Sequence, residues 1–178
     1  TAPAVTMTPE DRADAMALLT DPQLAARIRA DLEAVGVVGE DRAKLLVYLV
    51  ATSRKLGRPL SLAVVSRSSG GKSHMVLKVT ELMPEEDHFG YSRVSGKALF
   101  HDEENRLKHK VLTVEEAEGM EEATYALRVM QSAQVLRTLS TITDPTTGRH
   151  KAQENVVRGP VALVVTTNPR NTDVVSAA

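Results

Sequence analysis

Residues 66–73 read Ser-Arg-Ser-Ser-Gly-Gly-Lys-Ser, between the apolar run Leu-Ala-Val-Val at 62–65 and His-Met-Val-Leu-Lys-Val at 74–79. A buried-type strand, a glycine-rich turn and a helix that begins at Lys-Ser make a context in which successive backbone N–H groups face an anion. Lysine then reaches the outer phosphates of a nucleotide, and the hydroxyl after it completes a Mg2+ shell. Lys72 and Ser73 fill those two places, and Gly70 and Gly71 give the backbone freedom the loop needs. Ser66 stands where the pattern G-x-x-x-x-G-K-[ST] opens on glycine, a change tolerated if its backbone angles are ordinary. The expected nucleotide-binding set is Ser66, Arg67, Ser68, Ser69, Gly70, Gly71, Lys72, Ser73 and His74, with ATP and Mg2+ as cofactors. A glycine-rich turn with an exposed lysine is the plainer alternative.

Two further segments bear on that choice. Val111-Leu112-Thr113-Val114-Glu115-Glu116 is a short apolar strand ending in two carboxylates. An NTPase needs a carboxylate at a neighbouring strand end to hold Mg2+, and a second beside it to polarise the attacking water. Glu115 takes the metal role with Ser73, and Glu116 the role of base. Paired acids also open ordinary helices, which is the reading given to Glu118, Glu121 and Glu122. The third segment, Val161-Ala-Leu-Val-Val-Thr-Thr-Asn168, is another buried-type strand ending in a polar side chain. Asn168 there can hydrogen-bond the attacking water or the γ-phosphate, although Asn-Pro also marks a plain turn. The expected catalytic residues are thus Lys72, Glu116 and Asn168.

Apolar residues make up 42% and charged residues 25% of the 178-residue chain, values of an ordinary globular protein with one buried core. No apolar run approaches the ~20 residues of a membrane span. Nothing in the opening residues reads as a signal or transit peptide, and the chain has no cysteine, so a reducing cytoplasm is the expectation. The five histidines lack metal-ligand spacing. A net charge of −1 advertises no nucleic-acid affinity, so any such contact must come from a local patch.

Along the chain, Thr8-Pro9-Glu10-Asp11 and Asp21-Pro22 read as helix starts, and a third helix is expected from Glu40 to Leu56, stopped by Gly57-Arg58-Pro59. From there strands and helices alternate: Leu60–Val65, Lys72–Leu82, Phe89–Val94, Gly96–Lys108, Val111–Val114 and Val161–Thr166. Alternation argues for a parallel sheet covered on both faces. The long interval before Val161 holds a helix from Glu121 to about Val135, then Arg137–Thr143, the turn cluster Asp144-Pro-Thr-Thr-Gly148 and a return strand to Val157, read as an inserted hairpin. Its tip carries Arg149, His150 and Lys151, which either touch nucleic-acid phosphates or form a solvated turn. The division expected is a helical segment over 1–58 and an α/β core over 59–178.

With these residues in place the chain resembles a P-loop ATPase of the AAA+ or superfamily-three helicase kind. It is most similar to the helicase-like ATPase region of DNA primase-type proteins from bacterial mobile elements and phages. The likeness is carried by Gly-Val-Val-Gly-Glu-Asp at 36–41, Tyr-Leu-Val-Ala-Thr-Ser-Arg-Lys-Leu at 48–56, Ser-Ser-Gly-Gly-Lys-Ser at 68–73, Leu-Lys-His-Lys-Val-Leu at 107–112, Glu-Glu-Ala-Glu-Gly at 115–119 and Gly-Pro-Val at 159–161. The resemblance implies a Walker A at 66–73, a Walker B at 111–116, a sensor-one asparagine at 168, and a hairpin at 141–157 that faces DNA in the pore of a hexameric ring. Glu115 departs from the aspartate commoner in that family. The family also continues past a third core strand, so the resemblance implies a core truncated at its C-terminal end, with Arg137 and Arg170 as conceivable trans-acting arginines.

The leading expectation is therefore a Mg2+-dependent ATPase of a ring-forming DNA helicase or replication motor. The alternatives are a nucleotide-controlled assembly module with little motor activity and a small-molecule phosphotransferase, which the long insertion and Asn168 suit poorly.

Overall fold

The computed structural model describes residues 7–65, 71–115, 121–143 and 148–167. Its elements run α1 (Pro9–Leu19), α2 (Leu24–Ala34), α3 (Asp41–Thr52), β1 (Ser61–Val65), α4 (Lys72–Thr80), β2 (His88–Tyr91), α5 (Gly96–Phe100), β3 (Lys110–Glu115), α6 (Glu121–Ala133), β4 (Val135–Thr143), β5 (His150–Arg158) and β6 (Val161–Thr167). Single 3-10 turns occupy Ser53–Lys55 and Glu85–Asp87.

Four strands form a parallel sheet in the order β1-β6-β3-β2, while β4 and β5 pair with each other as a separate antiparallel ribbon. This is the α/β arrangement read from the alternation, with the hairpin inserted before the last core strand. Successive residues of a strand point to opposite faces, so each face has its own core. On one side Leu112, Val114, Val161, Leu163 and Val165 pack against α5, α6 and the hairpin base at Leu136 and Val157. On the other, Val111, Ala162 and Val164 pack against α2, α3 and α4 through Ile28, Leu32, Val47, Val50, Met75, Val76 and Val79. Fully burying a leucine such as Leu32 or Leu112 contributes about 1.5–3 kcal/mol.

The N-terminal helices differ in what they bury. Thr8 caps α1 with a capping box to Asp11 and proline sits at the first turn, yet α1 has no buried residue. Helices α2 and α3 cover the sheet, and the fully buried Lys44 of α3 joins them through Glu33 of α2 at 3.1 Å while pairing within its own helix with Asp41 at 2.9 Å.

Several boundaries differ from the sequence pattern: α3 ends at Thr52 and passes into the 3-10 turn Ser53–Lys55 instead of running to Leu56, and α4 ends at Thr80 instead of Leu82. Helix α5 ends at Phe100 instead of Lys108, because Asn155 on β5 donates to the carbonyls of Phe100 (2.6 Å) and Asp102 (3.4 Å), and Leu107 turns into the core. Strand β2 stops at Tyr91, since Val94 leaves the sheet for the core and Ser95 caps α5 by accepting from the Ala98 N–H. Helix α6 ends at Ala133, where Gln134 adopts a left-handed φ of 56° and donates its N–H to Met130 O at 2.9 Å, leaving Val135 free to begin β4.

One buried charge cluster ties the N-terminal helices to the foot of the sheet. Asp87 accepts from Arg54 Nε at 3.0 Å, Lys55 Nζ at 2.7 Å and Lys110 Nζ at 2.8 Å. Burial alone would raise this carboxyl, but the hydrogen bonds from Lys110, Lys55 and Arg54 outweigh it and hold Asp87 well below the usual carboxylate range. The lowered value sets the sign of the pH dependence. Stability from Asp87 is complete above its unfolded value of 3.8 and is lost as pH falls below it toward the folded value. Removing the anion leaves Arg54 buried without its counter-charge, so Asp87→Asn is expected to cost about 3 kcal/mol in urea denaturation at pH 7. A loss under about 1 kcal/mol, the range of exposed pairs, would contradict that role.

Candidate functional site

Parallel pairing brings three strand ends to one edge. The register sets Val65 beside Thr167 and Glu115 beside Thr166, so β1, β6 and β3 end side by side. Those ends directly precede the loop 66–70, Asn168 and Glu116 in the chain. Ser66, Arg67, Ser68, Ser69, Gly70, Glu116, Asn168 and Arg170 lie outside the described residues.

Helix α4 starts at this edge. Gly71, its N-cap, has a left-handed φ of 69°, a conformation open to glycine at little cost. Gly71 O accepts the Met75 N–H at 2.9 Å, which closes the first turn around Lys72, Ser73 and His74. Lys72 and Ser73 are half-buried and His74 is exposed. The unpaired N–H groups of a helix start carry partial positive charge, so this turn and the Lys72 ammonium together suit a phosphate.

Strand parity assigns the remaining side chains. Val111 and Val164 belong to the α4-side core, so Thr113 and Glu115, two and four residues on from Val111, and Thr166, two on from Val164, share that face. Glu115 is exposed at its strand end. The proposed metal residues Ser73 and Glu115 are thus on the helix and the strand face that meet at one edge, and both offer oxygen, the donor type that Mg2+ takes. The hydroxyl of Thr166 is buried and has no hydrogen-bond partner among the described residues, an orphaned oxygen beside Glu115 that fits a site completed by a bound group.

Between α4 and the β2–β3 strands lies a cavity of about 160 Å3, lined by Thr80, His88, Gly90, Thr113, Glu115 and Thr166 among others. At its floor His88 Nε2 and Thr113 Oγ1 are hydrogen-bonded at 3.0 Å. A Cβ on Gly90 would meet Thr113 Oγ1 at 3.2 Å and His88 Cε1 at 3.4 Å, so glycine leaves room for that pair. Burial pushes the His88 imidazole below its ordinary value. His88, Thr113 and Thr166 were not singled out from sequence. For Thr113 and Thr166 the signal available was parity, each lying two residues from a core valine on the same face, Val111 and Val164; His88 carried no such signal.

The inserted hairpin is a separate two-stranded ribbon whose base, at Leu136 and Val157, sits in the α6-side core. Its ladder pairs Thr143 with His150 and Ile142 with Lys151, so His150 and Lys151 point to opposite faces of the ribbon. Thr143 Oγ1 and His150 Nδ1 are 3.3 Å apart, and Arg149, His150 and Lys151 are all exposed. Among the described residues no cluster of His, Cys, Asp and Glu could hold a metal on its own, and no helix is long and apolar enough to cross a membrane.

Comparison with known proteins follows this geometry. A protein family described as the MTBMA_p00010 P-loop domain matches residues 11–169. Among solved structures, a full-length MCM homolog from Methanopyrus kandleri aligns over 94% of this chain and 36% of its own, with a TM-score of 0.57 and 15% identity. That likeness shows the fold: a P-loop NTPase core with a parallel sheet. The A-form apo structure of the NrS-1 C-terminal region aligns over 83% of this chain and 33% of its own at 12% identity, with a TM-score of 0.43 that carries no argument. The chain spans about a third of the length of each of these structures. No curated protein matches it.

The His88 assignment has a direct check. Its lowered value means that the folded state binds fewer protons than the unfolded one, so this contribution to stability is complete above pH 6.5 and declines as pH falls below it through the folded value. NMR titration is expected to place the imidazole below 6.5; a midpoint at or above 6.5 would contradict burial at the cavity floor.

Proposed function

Since the chain belongs to the MTBMA_p00010 P-loop domain family, we propose that it is the Mg2+-dependent ATPase of a ring-forming DNA helicase or replication-associated motor. The observation that carries this reading is the convergence at one sheet edge: the N-terminus of α4 with Lys72 and Ser73, beside a strand ending in Glu115 on the α4 face. A nucleotide with Mg2+ would supply the phosphoanhydride bond to be cut and the charge that Lys72, Ser73 and Glu115 are suited to balance.

Within this reading Lys72 neutralises the outer phosphates and the α4 N–H groups orient them. Ser73 and Glu115 hold the cation, and Glu116 accepts a proton from the attacking water. Asn168 positions that water. Residues Ser66 to His74 form the nucleotide cradle. Arg149, His150 and Lys151 contact DNA phosphates at the hairpin 141–157, and a hexameric ring repeats the hairpin in each subunit. The opposite directions of His150 and Lys151 favour contacts from both ribbon faces over a single basic patch. The same reading takes 1–58 as a helical segment and 59–178 as the ATPase core, and places the protein in the cytoplasm among primase-associated ATPases of mobile elements.

Nucleotide-controlled assembly without motor activity is the second reading. It is favoured by α1, a capped helix that buries none of its residues and exposes Met16 and Leu19. Hydrolysis by the full-length protein that DNA stimulates severalfold supports the motor; slow turnover indifferent to DNA supports assembly.

Lys72→Ala is expected to abolish nucleotide binding. Glu116→Gln is expected to keep binding and lower turnover by about 100-fold or more, within the range attributed to a positioned base. Wild-type turnover in Glu116→Gln would remove the base assignment. Substituting Arg149 and Lys151 together is expected to weaken DNA binding and to flatten its salt dependence by roughly one to two units of slope; an unaltered slope would take the hairpin tip out of the interface.

A further inference from the structure

On the nucleotide reading above, we propose that Thr166 is a positioning residue for Glu115, its hydroxyl donating to the Glu115 carboxylate when that group turns inward to hold a divalent cation. The two residues are register partners across the β3–β6 ladder and share the α4 face. Both line the same cavity of about 160 Å3, which gives the exposed carboxylate space to move into.

The hydroxyl calls for an explanation. Thr166 is 2% exposed and its Oγ1 has no hydrogen-bond partner among the described residues, a costly arrangement in a buried strand. The preceding residues of β6, Val161 to Val165, are all apolar, and valine has nearly the shape of threonine. A hydroxyl kept at this position, against the folding cost, matches a donor whose acceptor arrives with the bound state. A carboxylate is the strongest neutral-hydroxyl acceptor within reach of that register, and Glu115 is the one the ladder supplies. Thr167 provides an internal contrast. Its hydroxyl is equally buried and likewise without a partner among the described residues, but parity turns it to the α6 side, away from Glu115.

The test compares Thr166→Val, Thr166→Ser and Thr167→Val by thermal melting without ligand and by binding of a fluorescent ATP analogue across a Mg2+ titration. Thr166→Val is expected to melt higher by roughly 2–4 °C, as removal of an unsatisfied buried group should. It is also expected to need about tenfold more Mg2+ for half-maximal nucleotide binding, the loss of one hydrogen bond to a charged group. Thr166→Ser restores the wild-type Mg2+ requirement, and Thr167→Val melts higher with that requirement unchanged. An unaltered Mg2+ requirement in Thr166→Val, or an equal shift in Thr167→Val, overturns the proposal. Lys72→Ala is run beside them: if it abolishes binding while Thr166→Val leaves the Mg2+ requirement alone, the role of Thr166 fails and the nucleotide site stands. If Lys72→Ala binds normally, the nucleotide reading falls and takes the proposal with it.

Discussion

Strand β6 pairs on both sides, with β1 and with β3, and all seven of its residues are buried. That double pairing is the constraint on which the site depends. It fixes the ends of β1 and β3 two strands apart along one edge, so the helix that follows β1 starts across from the carboxylate that ends β3. It also forces each β6 side chain into one of two separate cores. A one-residue slip would turn Glu115 from the α4 side to the α6 side and exchange the two hydrophobic faces, at the cost of both cores.

The contacts that hold the sheet in that register lie at one end of it. At its foot, the Asp87 cluster joins the 3-10 turn after α3 to β3 through Arg54, Lys55 and Lys110, while His109, at a left-handed φ of 58°, donates its N–H to Pro160 O at 2.6 Å and its Nδ1 to Arg54 O at 2.9 Å. Beside the hairpin base, Arg158 pairs with Glu104 through backbone and side chain, and Asn155 binds the end of α5. At the opposite, carboxyl edge two buried hydroxyls, those of Thr166 and Thr167, have no hydrogen-bond partner among the described residues.

Much of this was legible in the sequence because it rests on local chemistry. Proline and acids mark the start of α1, the Gly-Gly-Lys-Ser run marks the start of α4, and continuous apolar runs mark the buried strands β3 and β6. The hairpin followed from its turn cluster. What failed depended on distant partners. The apolar pattern of Gly96–Lys108 is compatible with helix, but acceptors at Phe100 and Asp102 are claimed by Asn155, more than fifty residues on. The order β1-β6-β3-β2, the three cations on Asp87 and the His88–Thr113 pair likewise require knowing which strands are neighbours, and periodicity carries no such information. At the site, Lys72, Ser73 and Glu115 were recognisable as chemical types in order; Thr166 was not, because a threonine in a strand looks like any β-branched residue until its register partner is known.

The account holds that this edge binds a nucleotide through a phosphate-facing helix start and a cation held by oxygen ligands. Calorimetric titration of the chain with ATP, once with excess Mg2+ and once with the cation chelated, measures that claim directly. Saturable binding at one site per chain that weakens by at least tenfold on chelation is the predicted result. No binding in either condition, or binding of equal affinity in both, would contradict it.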